Sequence, residues 1–129
     1  MSLYMMVALG GALGAMARFA LGKWLTASLS GVGLWSAFPW ATFSINVIGS
    51  LAMGFAFVLL TEKITSWEAY RPLIMVGFLG GFTTFSTFSL EILSLINQQA
   101  WLSALSYLSL SCFCGVAGAA LGIFLGRLL

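Results

Sequence analysis

Polar side chains recur inside the apolar stretches of this chain at spacings that line single helix faces, and neutral donors set out in that way suit the passage of an ion that has shed its water. Thr42, Asn46 and Ser50 stand four residues apart, as do Ser103, Tyr107 and Ser111, so each trio shares one side of a helix. Between them runs Gly77-Phe-Leu-Gly-Gly-Phe-Thr-Thr-Phe-Ser-Thr-Phe-Ser89, which brings Thr83, Thr84, Ser86 and Thr87 beside Phe85 and Phe88. Helical spacing predicts Thr83 and Thr87 on one face and Thr84 with Phe88 on the next. A single serine or threonine carries little weight, because its hydroxyl can bond to its own helix. Asn46 carries more: an amide in lipid needs a polar partner or an aqueous path. Hydroxyls and an amide offer hydrogen bonds without fixed positive charge, which suits an anion that must be bound and then released. Phenylalanine edges hold the positive part of the ring quadrupole and can join such a track, although Phe85 and Phe88 at helical spacing also suit a plain core pair.

The elements that must position these residues follow from composition. Of 129 residues, 61% are hydrophobic and 6% charged, and the mean hydropathy is +1.09, against about 25% charged residues in soluble domains. An all-α integral membrane protein is expected. Four apolar stretches approach the roughly 20 residues that a bilayer core requires: Leu3 to Trp24, Trp40 to Thr61, Leu73 to Ile96 and Trp101 to Leu129, read as one four-helix transmembrane domain over residues 1–129. Thr26 to Pro39, Glu62 to Arg71 and Asn97-Gln98-Gln99 read as the connections. Trp24, Trp35, Trp40, Trp67 and Trp101 fall near span ends, where an amphipathic ring suits the headgroup region. The third span is expected to break at Gly80-Gly81, which lipid tolerates only where protein or a polar cavity takes over the freed backbone groups.

Other readings are narrowed by what is missing. With no histidine, no aspartate and only Glu62, Glu68 and Glu91 as acids, hydrolytic triads and histidine metal sites cannot be built. A net charge of +2, scattered along the chain, does not suit nucleic acid. The first span is not expected to be a cleaved signal, because its positive charges, Arg18 and Lys23, come at the far end. Cys112 and Cys114 project about 200° apart on a helix and read as small apolar packers. Gly10 with Gly14, and Gly118, Gly122 and Gly126, each line one face and read as surfaces for close helix packing.

Four spans place both termini on one side of the membrane. Lys63, Arg71 and Arg127 then lie on one face and Arg18 and Lys23 on the other, so the charge bias that orients a membrane protein is nearly balanced. Insertion in both orientations, giving an antiparallel homodimer in place of an internal inverted repeat, is one reading. Single orientation under a weak bias is the other, and charge alone leaves both open.

The run Gly80-Gly81-Phe82-Thr83-Thr84-Phe85-Ser86-Thr87-Phe88-Ser89, with Glu91 after it, closely resembles the signature of the CrcB/Fluc family of fluoride channels. The likeness extends to the glycine-rich first span with Arg18, to Trp40-Ala-Thr-Phe-Ser-Ile-Asn46-Val-Ile-Gly49, and to chain length. It implies a dual-topology homodimer in the cytoplasmic (inner) membrane of a prokaryote, with two antiparallel pores passively exporting fluoride that enters cells as the neutral acid. By position, Phe85 and Phe88 would be the pore rings and Asn46 the amide that supports them, with Thr84, Ser86, Thr87, Tyr107 and Ser111 along the pore. Arg18 and Glu91 would meet at its vestibule. Carbonyls of Gly80 and Thr83 from both subunits would hold a structural sodium ion. Two departures stand out: Gly115 replaces a serine of the fourth span, whose place water or Ser109 would take, and Phe82 replaces a leucine. The alternative is a small proton-coupled exporter, which needs an acid within a span and has only Glu91 to use.

Overall fold

The computed structural model describes residues 2–29 and 37–129. Trp35 and the rest of residues 30–36, half of the expected first connection, lie outside the described residues. Helix α1 is Leu3–Leu29, so it runs five residues past Trp24, and Thr26, expected in the connection, is helical. Helix α2, Trp40–Val58, continues through a wide π-pitched turn at Leu59–Lys63 and a tight 3₁₀ segment at Thr65–Tyr70. The third span is in two parts. Its first half, α3, covers residues 72–82, at π pitch over Pro72–Leu79 and at α pitch over Gly80–Phe82; α4 is Phe85–Asn97. Helix α5 is Trp101–Leu128, reached through a turn that Gln99 makes with φ of 59°. Among the described residues, four helical stretches are long and apolar enough to cross a membrane.

Two helix pairs build the domain, α1 with α3 and α2 with α5. Both rest on glycine. Gly10, Gly14, Gly118, Gly122 and Gly126 are buried, as the two stripes predict. A Cβ at Gly10 would collide with Leu73 O, and one at Gly122 with Leu51 O. Backbones this close gain the dispersion contacts that drive helix association in lipid.

The break in the third span falls at Thr83-Thr84, not at Gly80-Gly81. Gly80 is helical, with φ −64° and ψ −38°, whereas Thr83 and Thr84 are extended, at −82°, 159° and −149°, 118°. The glycines serve approach instead. A Cβ on Gly77 would lie 2.9 Å from Gly10 Cα, and one on Gly81 would lie 2.7 Å from Gly11 O. The extra ring of Phe82 is accommodated too: it is buried and stacks on Phe78 at 6.1 Å, with Gly49 leaving room beside it.

An aromatic cluster closes the end of the bundle near the first connection. Phe38, Phe88, Leu95, Ala104 and Tyr107 are buried there, with Trp40 and Phe43 packed against them. Glu62 and Arg127 pair at 2.8 Å between the end of α2's wide turn and the end of α5, on the exposed surface.

The glycine contacts make a measurable difference. Gly77→Ala should lower the stability of the detergent-solubilised protein by about 3 kcal/mol, the upper range for overpacking, because the obstructing atoms are backbone. Gly22→Ala, whose Cβ would meet only Ile45 Cδ1 at 3.6 Å, should melt with the parent. Thermal unfolding of the two variants, followed by circular dichroism, checks the difference.

Candidate functional site

A helix that stops inside a membrane leaves carbonyls without donors and amides without acceptors. Here three side chains take them up. Asn46 of α2 reaches the break with both ends of its amide: Oδ1 accepts from Thr84 N–H at 2.8 Å, and Nδ2 donates to Thr84 C=O at 3.0 Å. Arg18 of α1 donates from Nε to Gly81 C=O at 3.1 Å, setting a cation at the negative end of α3. Thr84 Oγ1 accepts from Thr87 N–H at 3.3 Å and so caps α4, while its own hydroxyl donates to Thr87 Oγ1 at 3.0 Å.

These bonds release others. In an unbroken helix Thr84 N–H would serve Gly80 C=O and Thr87 N–H would serve Thr83 C=O; the first is taken by Asn46 and the second by Thr84 Oγ1. Gly80 and Thr83 therefore present carbonyl oxygens that have lost their helical donors. Gly80 is also exposed on the single chain.

One helical turn past Phe88, Glu91 is held by two neighbours. Thr42 of α2 donates to Oε1 at 2.8 Å, and Tyr107 of α5 donates to Oε2 at 2.6 Å. Tyr107 is fully buried, flanked edge-on by Phe38 at 5.2 Å and Phe88 at 5.0 Å. The carboxylate thus joins α2, α4 and α5 at one level. The expected meeting of Arg18 and Glu91 is not made: each is engaged elsewhere, although both line one cavity of about 580 Å³ with Lys23, Thr42, Thr84 and Thr87. Lys23 Nζ sits 5.8 Å from the Phe19 ring in the same place.

A second cavity, about 330 Å³, lies on the far side of the Asn46–Thr84 bond. Asn46, Ser50, Thr83, Thr84, Phe85, Phe88, Ser111 and Cys112 line it. Asn46 retains a second N–H on Nδ2. Ser111 Oγ is buried with no hydrogen-bond partner among the described residues, a rare state for a hydroxyl. The two rings differ in setting: Phe88 is 6% exposed and Phe85 79% exposed, with centroids 5.7 Å apart.

The chain matches the family described as CrcB-like protein, Camphor Resistance (CrcB), over residues 5–123. The chain belongs to the CrcB family. It is 47% identical over 123 residues to the fluoride-specific ion channel FluC of Magnetococcus marinus, covering 95% of this chain and 96% of that one. The protein of the same name from Hahella chejuensis is 44% identical over 95% and 93% of the two chains, and that from Chloroflexus aurantiacus is 38% identical over 94% and 92%.

Within this CrcB chain the predicted site residues fall around two cavities that share Thr84 as a lining residue. Asn46, Thr84, Phe85, Phe88 and Ser111 share the smaller cavity; Arg18, Thr87 and Glu91 share the larger, and Thr84 lines both. Tyr107 touches this arrangement through Glu91 and Phe88, and Ser86 is exposed, its Oγ 3.5 Å from Thr84 Oγ1. Helical spacing misplaced the threonines, because the chain turns extended between them: Thr83 OH bonds back to Leu79 C=O, and Thr87 bonds Thr84. Two participants were not picked out as site residues. Thr42 is the partner of Glu91, and a lone acid within a span needs such a donor. Cys112, expected only to pack, is exposed and lines the smaller cavity.

The amide at 46 is the residue whose loss should be felt most in this CrcB chain. Asn46→Leu strips Thr84 N–H and C=O of their partners, at about 1–3 kcal/mol for each unsatisfied group. Hydrogen exchange at Thr84 should accelerate and the melting temperature fall. Thr84→Val, which removes a cap worth about 1 kcal/mol and the hydroxyl bond to Thr87 but leaves both Asn46 bonds in place, should be milder by both measures.

Proposed function

We propose that this protein is a fluoride channel of the cytoplasmic membrane, passing the anion down its gradient along the path between the two cavities. The cavity that joins Asn46, Ser111, Phe85 and Phe88 carries the reading. It gathers an amide with one N–H to spare, a hydroxyl with no partner among the described residues and two phenylalanine rings, with no cation among its described lining, around a space with room for about ten waters. Fluoride leaving water needs donors that replace its shell without holding it, and neutral donors with aromatic edges meet that need. The near full-length similarity to channels named fluoride-specific supports the same assignment.

Each part has a role. The larger cavity collects the anion, with Arg18 and Lys23 raising its local concentration. The Glu91 carboxylate, held by Thr42 and Tyr107, fixes the spacing of α2, α4 and α5 beside Phe88. Asn46 holds the break open while its remaining N–H faces the ion's route. The alternative of a proton-coupled exporter is unsupported, since Glu91, the acid it would need, has both oxygens engaged.

The active form is an antiparallel homodimer. The nearly balanced loop charges are compatible with insertion both ways, and a second copy would cover Phe85, which is 79% exposed on the single chain. A sodium ion at the dimer axis suits the same geometry. A hard cation takes oxygen ligands, and Gly80 and Thr83 present carbonyls whose helical donors are engaged elsewhere. Two oxygens from each copy would hold it and lock the broken spans together.

Liposomes holding the purified protein should release fluoride with a current that reverses at the fluoride equilibrium potential, and chloride should not compete. Phe88→Ile should keep the protein folded and lower fluoride flux by about tenfold or more, because the ring quadrupole is lost while volume is roughly kept. Uphill fluoride movement driven by a proton gradient would overturn the channel. Reporters fused after Leu129 should signal from both membrane faces, and signal from one face alone would remove the antiparallel dimer.

A further inference from the structure

We propose that Ser50 of α2 is a further donor of the anion path, taking over at the level where α5 has no hydroxyl to offer. The inference rests on the fluoride-channel reading and extends it. On α5 the polar stripe steps from Ser103 to Tyr107 to Ser111, and the next step is Gly115. The stripe on α2, Thr42 to Asn46 to Ser50, reaches that level from the opposite side. The two positions face each other: a Cβ built on Gly115 would have a single neighbour within 4 Å, Ser50 Oγ at 3.7 Å.

Three observations make the Ser50 hydroxyl available. It lines the smaller cavity together with Asn46, Phe88 and Ser111. It makes no hydrogen bond to any described residue. In particular it does not bond back to its own helix, as Thr61, Thr83 and Ser89 do to the carbonyls four residues before them. The missing side chain at Gly115 also leaves the hydroxyl uncovered. An anion that leaves Asn46 travels about 6 Å, one helical turn, before it comes level with Ser50. Without that hydroxyl it would cross this stretch with no donor from either helix, which for a desolvated charge is a barrier.

The test moves the hydroxyl from one helix to the other. Fluoride efflux from liposomes is measured for the parent, Ser50→Ala, Ser50→Cys and the double variant Ser50→Ala with Gly115→Ser. Losing a donor to a charged species should slow flux by about tenfold or more in both single variants, with an unchanged elution profile in detergent. The double variant should recover most of the parent rate, because a serine at 115 sets its hydroxyl in the same space, whereas Ser50→Ala with Gly115→Ala, which restores volume without a donor, should not. Parent-like flux in either single variant overturns the proposal, and so does a loss that Gly115→Ser leaves in place. A parent protein that carries no fluoride at all overturns the channel reading together with it.

Discussion

The reciprocal pair of hydrogen bonds between the Asn46 amide and the Thr84 backbone is the interaction on which the rest of the structure depends. In hydrocarbon a break in a helix is stable only when every freed backbone group finds a partner. Asn46 satisfies a donor and an acceptor of one residue at once, much as a neighbouring strand would. Arg18 and the Thr84 hydroxyl complete the arrangement at the ends of the two half-helices. Because these partners come from α1, α2 and the span itself, the break is held at a definite height among the helices, and both cavities open beside it.

The same economy governs the carboxylate. A single acid within a span is costly unless its oxygens are bonded, and Glu91 meets the hydroxyls of Thr42 and Tyr107 from two other helices. Tyr107 in turn is boxed edge-on by Phe38 and Phe88. The position of Phe88 is thereby tied to the carboxylate one helical turn away, so the ring that faces the smaller cavity is rigidly placed. Phe85 has no such support within one chain and is exposed.

Much of this was legible in the residues. Hydropathy and length located four spans, because crossing a bilayer demands about 20 apolar residues whatever their partners, and the glycine stripes marked packing faces on the first and last spans without naming their partners. The singular amide at Asn46 and the lone intramembrane acid at Glu91 also stood out, since both are expensive in lipid and need a reason to be there.

Tertiary structure decided the rest. Gly80-Gly81 looked like the break, yet glycine in a membrane helix serves close approach as readily as turning, and only the nearness of Gly10 and Gly11 separates the two. The break moved to Thr83-Thr84 because Asn46, 38 residues away in sequence, offers its amide at that height and no other. For the same reason Arg18 went to Gly81 C=O and Glu91 to Thr42 and Tyr107, though charge alone would have joined them. Residue types determined that these polar groups must find partners inside the membrane. Which partner each one found was decided by the packing distances between helices, a quantity that no local spacing encodes.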